Sequence, residues 1–167
     1  MTSIRSATPE DARAIAEVHV ATWRGAYGHV FPPEVLDALD VGERERLWRE
    51  SLADDDIAVY IADDGDRVVG FVSVGPSRDA DGEGELYAIY VDPDAWGTGA
   101  GSALIAAGRR WLAERYPAAT LWVLEDNPRA RRFYEREGWV AGRRRIDEIR
   151  GVEVAEVQYR LSGLGRR

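Results

Sequence analysis

The alternation of apolar and polar positions predicts short helices interleaved with strands. Ser3 to Ala7 reads as a first strand, and Thr8-Pro9-Glu10-Asp11 reads as a helix start, with Thr8 as cap, Pro9 in the first turn and Asp11 three residues after the cap. Ile15, Val18, His19, Thr22 and Trp23 continue at helical spacing, and Gly25 and Gly28 loosen that helix's end. Pro32-Pro33 opens a second helical stretch through Val35, Leu36 and Leu39, and Glu43 to Leu52 continues as a further helical piece. Ile57 to Ala62 and Arg67 to Val74 are β-rich runs around Asp63-Asp64-Gly65-Asp66, the pattern of an antiparallel hairpin. Glu85 to Val91 is another strand, ended by Asp92-Pro93, and Gly99 to Tyr116 has helical spacing up to the stop at Pro117. Thr120 to Leu124 is nearly all apolar, as a strand covered on both faces must be. Asn127 caps a helix that Pro128 starts and Gly138 ends, and Trp139 to Ile146 and Val152 to Leu161 form a closing strand pair. The order predicts one mixed α/β domain over residues 1–167 with a central sheet, and a frayed tail over residues 162–167.

Composition narrows the classes. A chain of 167 residues with 45% hydrophobic and 31% charged residues has the balance of a folded globular protein rather than a disordered one. No apolar run reaches the roughly 18 residues of a membrane helix, and Met1 to Glu10 lacks the apolar centre of a secretory signal. There is no cysteine, hence no disulfide, thiolate nucleophile or thiolate metal site. A cytoplasmic location is the expectation. The formal net charge of -8 argues against nucleic acid as a partner, which needs a basic face. Yet arginines crowd residues 129–145 of this acidic chain. That segment is either a solvated face or a seat for a small anion. The two histidines, His19 and His29, are too few and too far apart to argue for a metal.

The most informative segment is Val91-Asp92-Pro93-Asp94-Ala95-Trp96-Gly97-Thr98-Gly99-Ala100-Gly101-Ser102. A strand ends, the chain bends, and three alternate glycines lead into a helix. Backbone N–H groups at such a bend converge on an anion, the helix N-terminus adds partial positive charge, and glycine lets phosphate reach the backbone. The plain alternative is a flexible turn. A Walker A loop is excluded because no lysine is present in the segment. The dinucleotide fingerprint Gly-x-Gly-x-x-Gly also fails, because its third glycine is Ser102 or Leu104, although Glu125 lies where a ribose contact belongs.

Trp96-Gly97-Thr98-Gly99-Ala100-Gly101 resembles the Gln/Arg-x-x-Gly-x-Gly/Ala motif of the GNAT superfamily of acetyltransferases, with Trp96 where Gln or Arg is usual. Asn127 to Trp139 resembles that family's Asn-x-x-Ala-x-x-Phe-Tyr-x-x-x-Gly-Phe segment, and Glu85 to Pro93 resembles its fourth strand. The resemblance implies the GNAT fold, a mixed sheet of about seven strands flanked by about four helices. It also implies acetyl-CoA as acyl donor, no metal, and an amine as acceptor. The fourth and fifth strands would splay around the pantetheine arm, held by backbone near Tyr90 and Val91. The backbone from Trp96 through Gly97, Thr98, Gly99, Ala100 and Gly101 to Ser102 would hold the pyrophosphate. Asn127 would contact the pantetheine, in addition to capping its helix. Arg131 would meet the 3′-phosphate, with Arg129 and Arg132 as alternatives.

The resemblance also assigns chemistry. Tyr134 is the candidate general acid toward the departing sulfur, against a plain role as a packed core tyrosine. Glu85 is the candidate general base toward the amine, against a plain role as a solvated carboxylate. Trp23, Tyr27 and Phe31 are candidate walls of the acceptor pocket, and the acidic character of the chain suits a cationic amine. Dimers occur in the family, and the late strands are the candidate interface of a homodimer. The competing functional reading is a non-catalytic acyl-CoA-binding or regulatory module on the same fold.

Overall fold

In the computed structural model, which describes residues 2–165, seven strands form one sheet in the order β1-β2-β3-β4-β5-β7-β6. The strands are β1 (Ser3–Ser6), β2 (Ala58–Asp63), β3 (Val68–Pro76), β4 (Gly84–Val91), β5 (Ala118–Leu124), β6 (Val140–Ile149) and β7 (Val152–Ser162). The α-helices are α1 (Ala12–Ala26), α2 (Pro33–Asp37), α3 (Val41–Leu52), α4 (Ala100–Ala113) and α5 (Pro128–Arg136), and short 3-10 turns cover Pro9–Asp11 and Pro93–Ala95. The two helical pieces predicted after Pro32 form as the separate helices α2 and α3. Asp40 adopts an extended backbone and its carboxylate accepts the Gly42 N–H at 2.8 Å, which caps α3 as a new helix. Seven strands and five α-helices among the described residues match the expected sheet of about seven strands flanked by about four helices.

Local signals act where they were read. The Asp11 carboxylate accepts the Thr8 N–H at 2.8 Å and starts the path into α1 through the 3-10 turn. The hairpin of β2 and β3 is antiparallel. Asn127 caps α5 through the Ala130 N–H at 3.1 Å. The tail is more ordered than predicted as far as residue 165. Ser162 pairs with Ala118, Leu164 is buried, and its N–H donates to the Pro117 carbonyl at 3.0 Å. The rest of the predicted frayed tail, residues 166–167, lies outside the described residues.

Each face of the sheet carries its own core. On one face, Ile15 and Val18 of α1 and Trp48 of α3 pack on Val59, Ile61 and Phe71. On the other, Leu104 and Leu112 of α4 pack on Val72, Val74 and Leu121. β3 lies between them and is buried along nearly its whole length. Gly70 in β3 is required by close approach, because a Cβ there would stand 2.9 Å from the Tyr90 carbonyl oxygen and 3.0 Å from Leu104 Cδ1. Gly70→Ala is expected to cost about 1–3 kcal/mol by overpacking, read as a lower urea midpoint with an unchanged slope.

Candidate active site

The site begins where the sheet opens. β4 and β5 run parallel and pair only at Gly84–Ala119 and Glu85–Thr120. On the other edge of β4 the register with β3 shifts between Ser73 and Val74, a bulge that bends β4 away from β5. A cavity of about 870 Å³ fills the gap, within the usual size of a small-molecule site.

The direction of the β4 backbone follows from one bond. The Asp92 N–H donates to the Val69 carbonyl at 2.8 Å, so Asp92 and, by alternation, Tyr90 turn their amides toward β3. Ile89 and Val91 therefore present theirs to the gap. This corrects the expectation for Tyr90, whose backbone is spent on β3, and adds Ile89, which no sequence signal singled out. The Tyr90 side chain stands on the α1 face of the sheet, against His19 and Phe71, and its hydroxyl accepts the Trp23 indole N–H at 3.2 Å.

The glycine turn lies at the end of β4. Gly97 (φ 79°) and Gly99 (φ 87°) are in the left-handed region, and a Cβ at either would meet no atom of the chain within 4 Å. The cradle is open space bordered by backbone, and the first turn of α4 points its N–H groups at it. Thr98 is spent inside the turn, its hydroxyl donating to the Ala95 carbonyl at 2.6 Å, and its side chain is not part of the cavity wall. The Ser102 hydroxyl donates to Glu137 at 3.2 Å, leaving its amide for the cradle. The Trp96 indole N–H donates to the Val91 carbonyl at 2.8 Å and so ties the turn to β4. The Arg129 guanidinium stacks 3.7 Å from the centre of the Trp96 ring.

Arg131 does not reach the cavity. Its guanidinium donates to the Tyr159 hydroxyl at 3.1 Å and the Glu125 carbonyl at 3.3 Å, which locks α5 to β5 and β7. The cavity is instead lined by Arg129, Arg132 and Arg136, on the adjacent strip of the helix.

Tyr134 sits on the inner face of α5, packed among Phe133, Trp139 and Tyr159, and lines the cavity. Burial pushes its phenol above the usual tyrosine range, so it is protonated at neutral pH. Its hydroxyl bonds to no other side chain among the described residues, whereas those of Tyr27 and Tyr90 are engaged. Asn127 serves twice, capping α5 and donating from Nδ2 to the Tyr27 hydroxyl at 3.4 Å on the cavity wall. Trp23 and Tyr27 line the cavity, and Phe31 does not. It stacks behind Trp23, with ring centres 5.1 Å apart, inside the core.

Glu85 was expected to face the acceptor amine and does not. It is fully buried outside the cavity wall, and Arg78 occupies both its oxygens, through the backbone N–H at 2.9 Å and Nε at 3.1 Å. Its place at the start of β4 puts it where β4 and β5 still pair, before the gap opens. Two carboxylates do line the cavity, Asp147 of β6 and Glu156 of β7; Glu156 is the buried one, opposite Leu124 and bonded to Arg145 Nε at 2.9 Å. Burial pushes its carboxyl above the ordinary range, and Arg145 partly offsets this. Its signal in the sequence was faint: a carboxylate continuing the period-two phase of Val152 and Val154.

His19, Arg44, Asp147 and Arg150 complete this end of the cavity. His19 Nδ1 accepts the Trp48 indole N–H at 3.3 Å, so the neutral ring carries its proton on Nε2. Burial, with Arg44 and Arg150 nearby, lowers it to about 3. The wall holds more arginines than carboxylates, the reverse of the net charge of the chain. The overall acidity of the chain therefore gives no reason for a cationic acceptor in this cavity. Among the described residues, no group of three His, Asp or Glu side chains is placed to hold a metal ion, and no helix is long and apolar enough to cross a membrane.

Residues 14–139 match the acetyltransferase (GNAT) family. The uncharacterized N-acetyltransferase YuaI of Bacillus subtilis is 36% identical over 169 residues, spanning 99% of this chain and 92% of that protein. The crystal structure of a GCN5-related N-acetyltransferase (aminotransferase, class-II) from Rhodopseudomonas palustris is 25% identical, with a TM-score of 0.79 over 97% of this chain and 96% of that one. The PaiA N-acetyltransferase of Thermoplasma acidophilum, solved in complex with coenzyme A, shares the fold at 17% identity, with a TM-score of 0.75 over 94% of this chain and 98% of that one. With the open β4 edge, the glycine turn and these relatives together, the chain belongs to the GNAT superfamily of N-acetyltransferases, enzymes whose acyl donor is acetyl-CoA.

Proposed function

We propose that this enzyme transfers the acetyl group of acetyl-CoA to a primary amine of a small molecule or peptide, by direct attack and without an acyl-enzyme. The observation that carries the reading is one cavity holding an open glycine cradle, the unpaired edge of β4 and the free phenol of Tyr134. The residues fit the donor. The cradle has room where side chains would stand, and the amides of Ile89 and Val91 face the gap. When bound, acetyl-CoA supplies a thioester whose carbonyl carbon is open to a neutral amine.

The remaining chemistry belongs to the chain. Ile89 and Val91 hold the pantetheine arm as an added strand. The amides from Gly97 to Ser102 hold the diphosphate at the α4 N-terminus. Arg129, stacked on Trp96, and Arg132 are placed for the 3′-phosphate. Glu156 takes the proton that the amine must lose, and its raised pKa makes it a stronger base than a free carboxylate. As the C–N bond forms and the C–S bond breaks, Tyr134 donates its proton to the departing sulfur. Much of the rate comes from holding amine and thioester together. β6, an outer strand that exposes Val140 and Ile146, supports pairing with a second copy.

The test is thiol release from acetyl-CoA across an amine panel. The protein has no cysteine, so a thiol reagent reads only free CoA. Amine-dependent release is expected, and CoA binding without release from any amine would overturn the proposal. Glu156→Gln is expected to lower kcat/KM about 10²- to 10⁴-fold at neutral pH. It is also expected to abolish the acidic limb of the pH profile, which in wild type lies above the ordinary carboxylate range. An unchanged profile removes Glu156 from the mechanism.

A further inference from the structure

At the acceptor end of the cavity, two guanidinium groups make no ion pair among the described residues, although the charge of Glu43 acts on Arg44 from a distance. Arg44, on α3, lines the wall, and its Nε is buried without a partner. Its side chain makes no ion pair among the described residues, and neither does that of Arg150 in the β6–β7 turn. Their neighbours behave otherwise: Arg78 is paired with Glu85 and Arg145 with Glu156. Arg44 and Arg150 also act on each other. Burial, together with the charge of Arg150, lowers the Arg44 pKa, and both cations add to the burial that holds His19 neutral.

An unpaired charge held partly out of water is costly, and this chain has 30 Asp and Glu residues from which a partner could have been drawn. Two unpaired cations kept at one wall form a seat for an anion that arrives from outside. The cofactor's phosphates do not explain them. Arg44 acts on His19 and the Tyr90 side chain, on the α1 and α3 side of the sheet, away from the glycine turn. Asp147 and Glu156 share this end of the cavity and disfavour a dianion.

We propose that the acceptor is an amine that also carries a carboxylate, gripped by Arg44 with Arg150 while its amino group faces Glu156 and Tyr134. The inference rests on the acetyl transfer proposed above and names its substrate class. A guanidinium presents a planar two-donor fork that matches a carboxylate, so Arg44 binds and orients the substrate without taking part in proton transfer.

The experiment is thiol release by the wild-type protein with the common α-amino acids, their carboxamides, aminoalkyl phosphonates and linear polyamines. Free acids are expected to be turned over with kcat/KM about 10- to 100-fold above the matching carboxamides. Arg44→Gln is expected to raise KM for the acids by a similar factor with kcat nearly kept, and to leave the carboxamides and the KM for acetyl-CoA unchanged. Its Tm is expected to equal or exceed that of wild type, because a desolvated, unpaired charge is removed. A purely structural arginine would lower Tm instead. Arg150→Gln, on an exposed turn, gives a second and smaller KM effect of the same kind. Carboxamides, phosphonates or polyamines used as well as the acids overturn the carboxylate seat and leave the acetyl transfer standing. No release from any amine overturns both.

Discussion

Tyr134→Phe is expected to lower kcat by about 10²- to 10⁴-fold while leaving the affinity for CoA nearly unchanged. The substitution removes one oxygen and keeps the ring that packs among Phe133, Trp139 and Tyr159. The lost hydroxyl has no side-chain partner among the described residues, so no bond within the protein is broken and Tm should hold. Burial keeps the phenol protonated across the working pH range, the state a general acid needs. In the proposed mechanism the proton reaches sulfur only as the C–S bond breaks, so the loss is expected on kcat rather than on ground-state binding. Steady-state thiol release and CoA titration calorimetry on the same preparation separate the two. Turnover like that of wild type in this variant would end the case for Tyr134 as the acid.

Acid is expected to destabilise the protein through His19. In the unfolded chain this ring binds a proton near pH 6.5, whereas in the fold it stays neutral down to about 3. Below pH 6.5 the unfolded state therefore binds more protons, and stability falls with pH until about pH 3, by up to about 1.4 kcal/mol per unit. Over that window the loss is a sizeable share of a typical domain stability of about 5–15 kcal/mol. Glu156, shifted the other way, returns part of it as its carboxyl takes up a proton in the folded state. Urea midpoints measured from pH 7 down to pH 4 should decline in wild type and decline less in His19→Asn, whose amide oxygen can still accept the Trp48 indole N–H. Equal slopes in the two proteins would show that His19 is not the group that titrates.

The features legible in the sequence all act over a few residues. The Asp11 carboxylate bonds back to Thr8, Asn127 caps its own helix, and Gly97 and Gly99 take the left-handed backbone that other residues resist. Such signals are written in neighbouring side chains, so strand and helix order, the glycine cradle and the Tyr134 helix could be read directly. The charged side chains at the His19 end of the cavity could not. Tyr90 turned its backbone to β3 because pairing with that strand sets the direction of every amide along β4. Arg131 was drawn to Tyr159, and Glu85 to Arg78, by partners whose positions only the folded sheet specifies. His19, Arg44, Arg150 and Glu156 come from α1, α3, the β6–β7 turn and β7, and no local pattern links them. Caps, turns and glycine conformation are short-range, so the fold and the glycine turn were already written in the order of the residues. The charged end of the cavity was settled only on folding, because its side chains meet only where distant strands and helices close on one cavity.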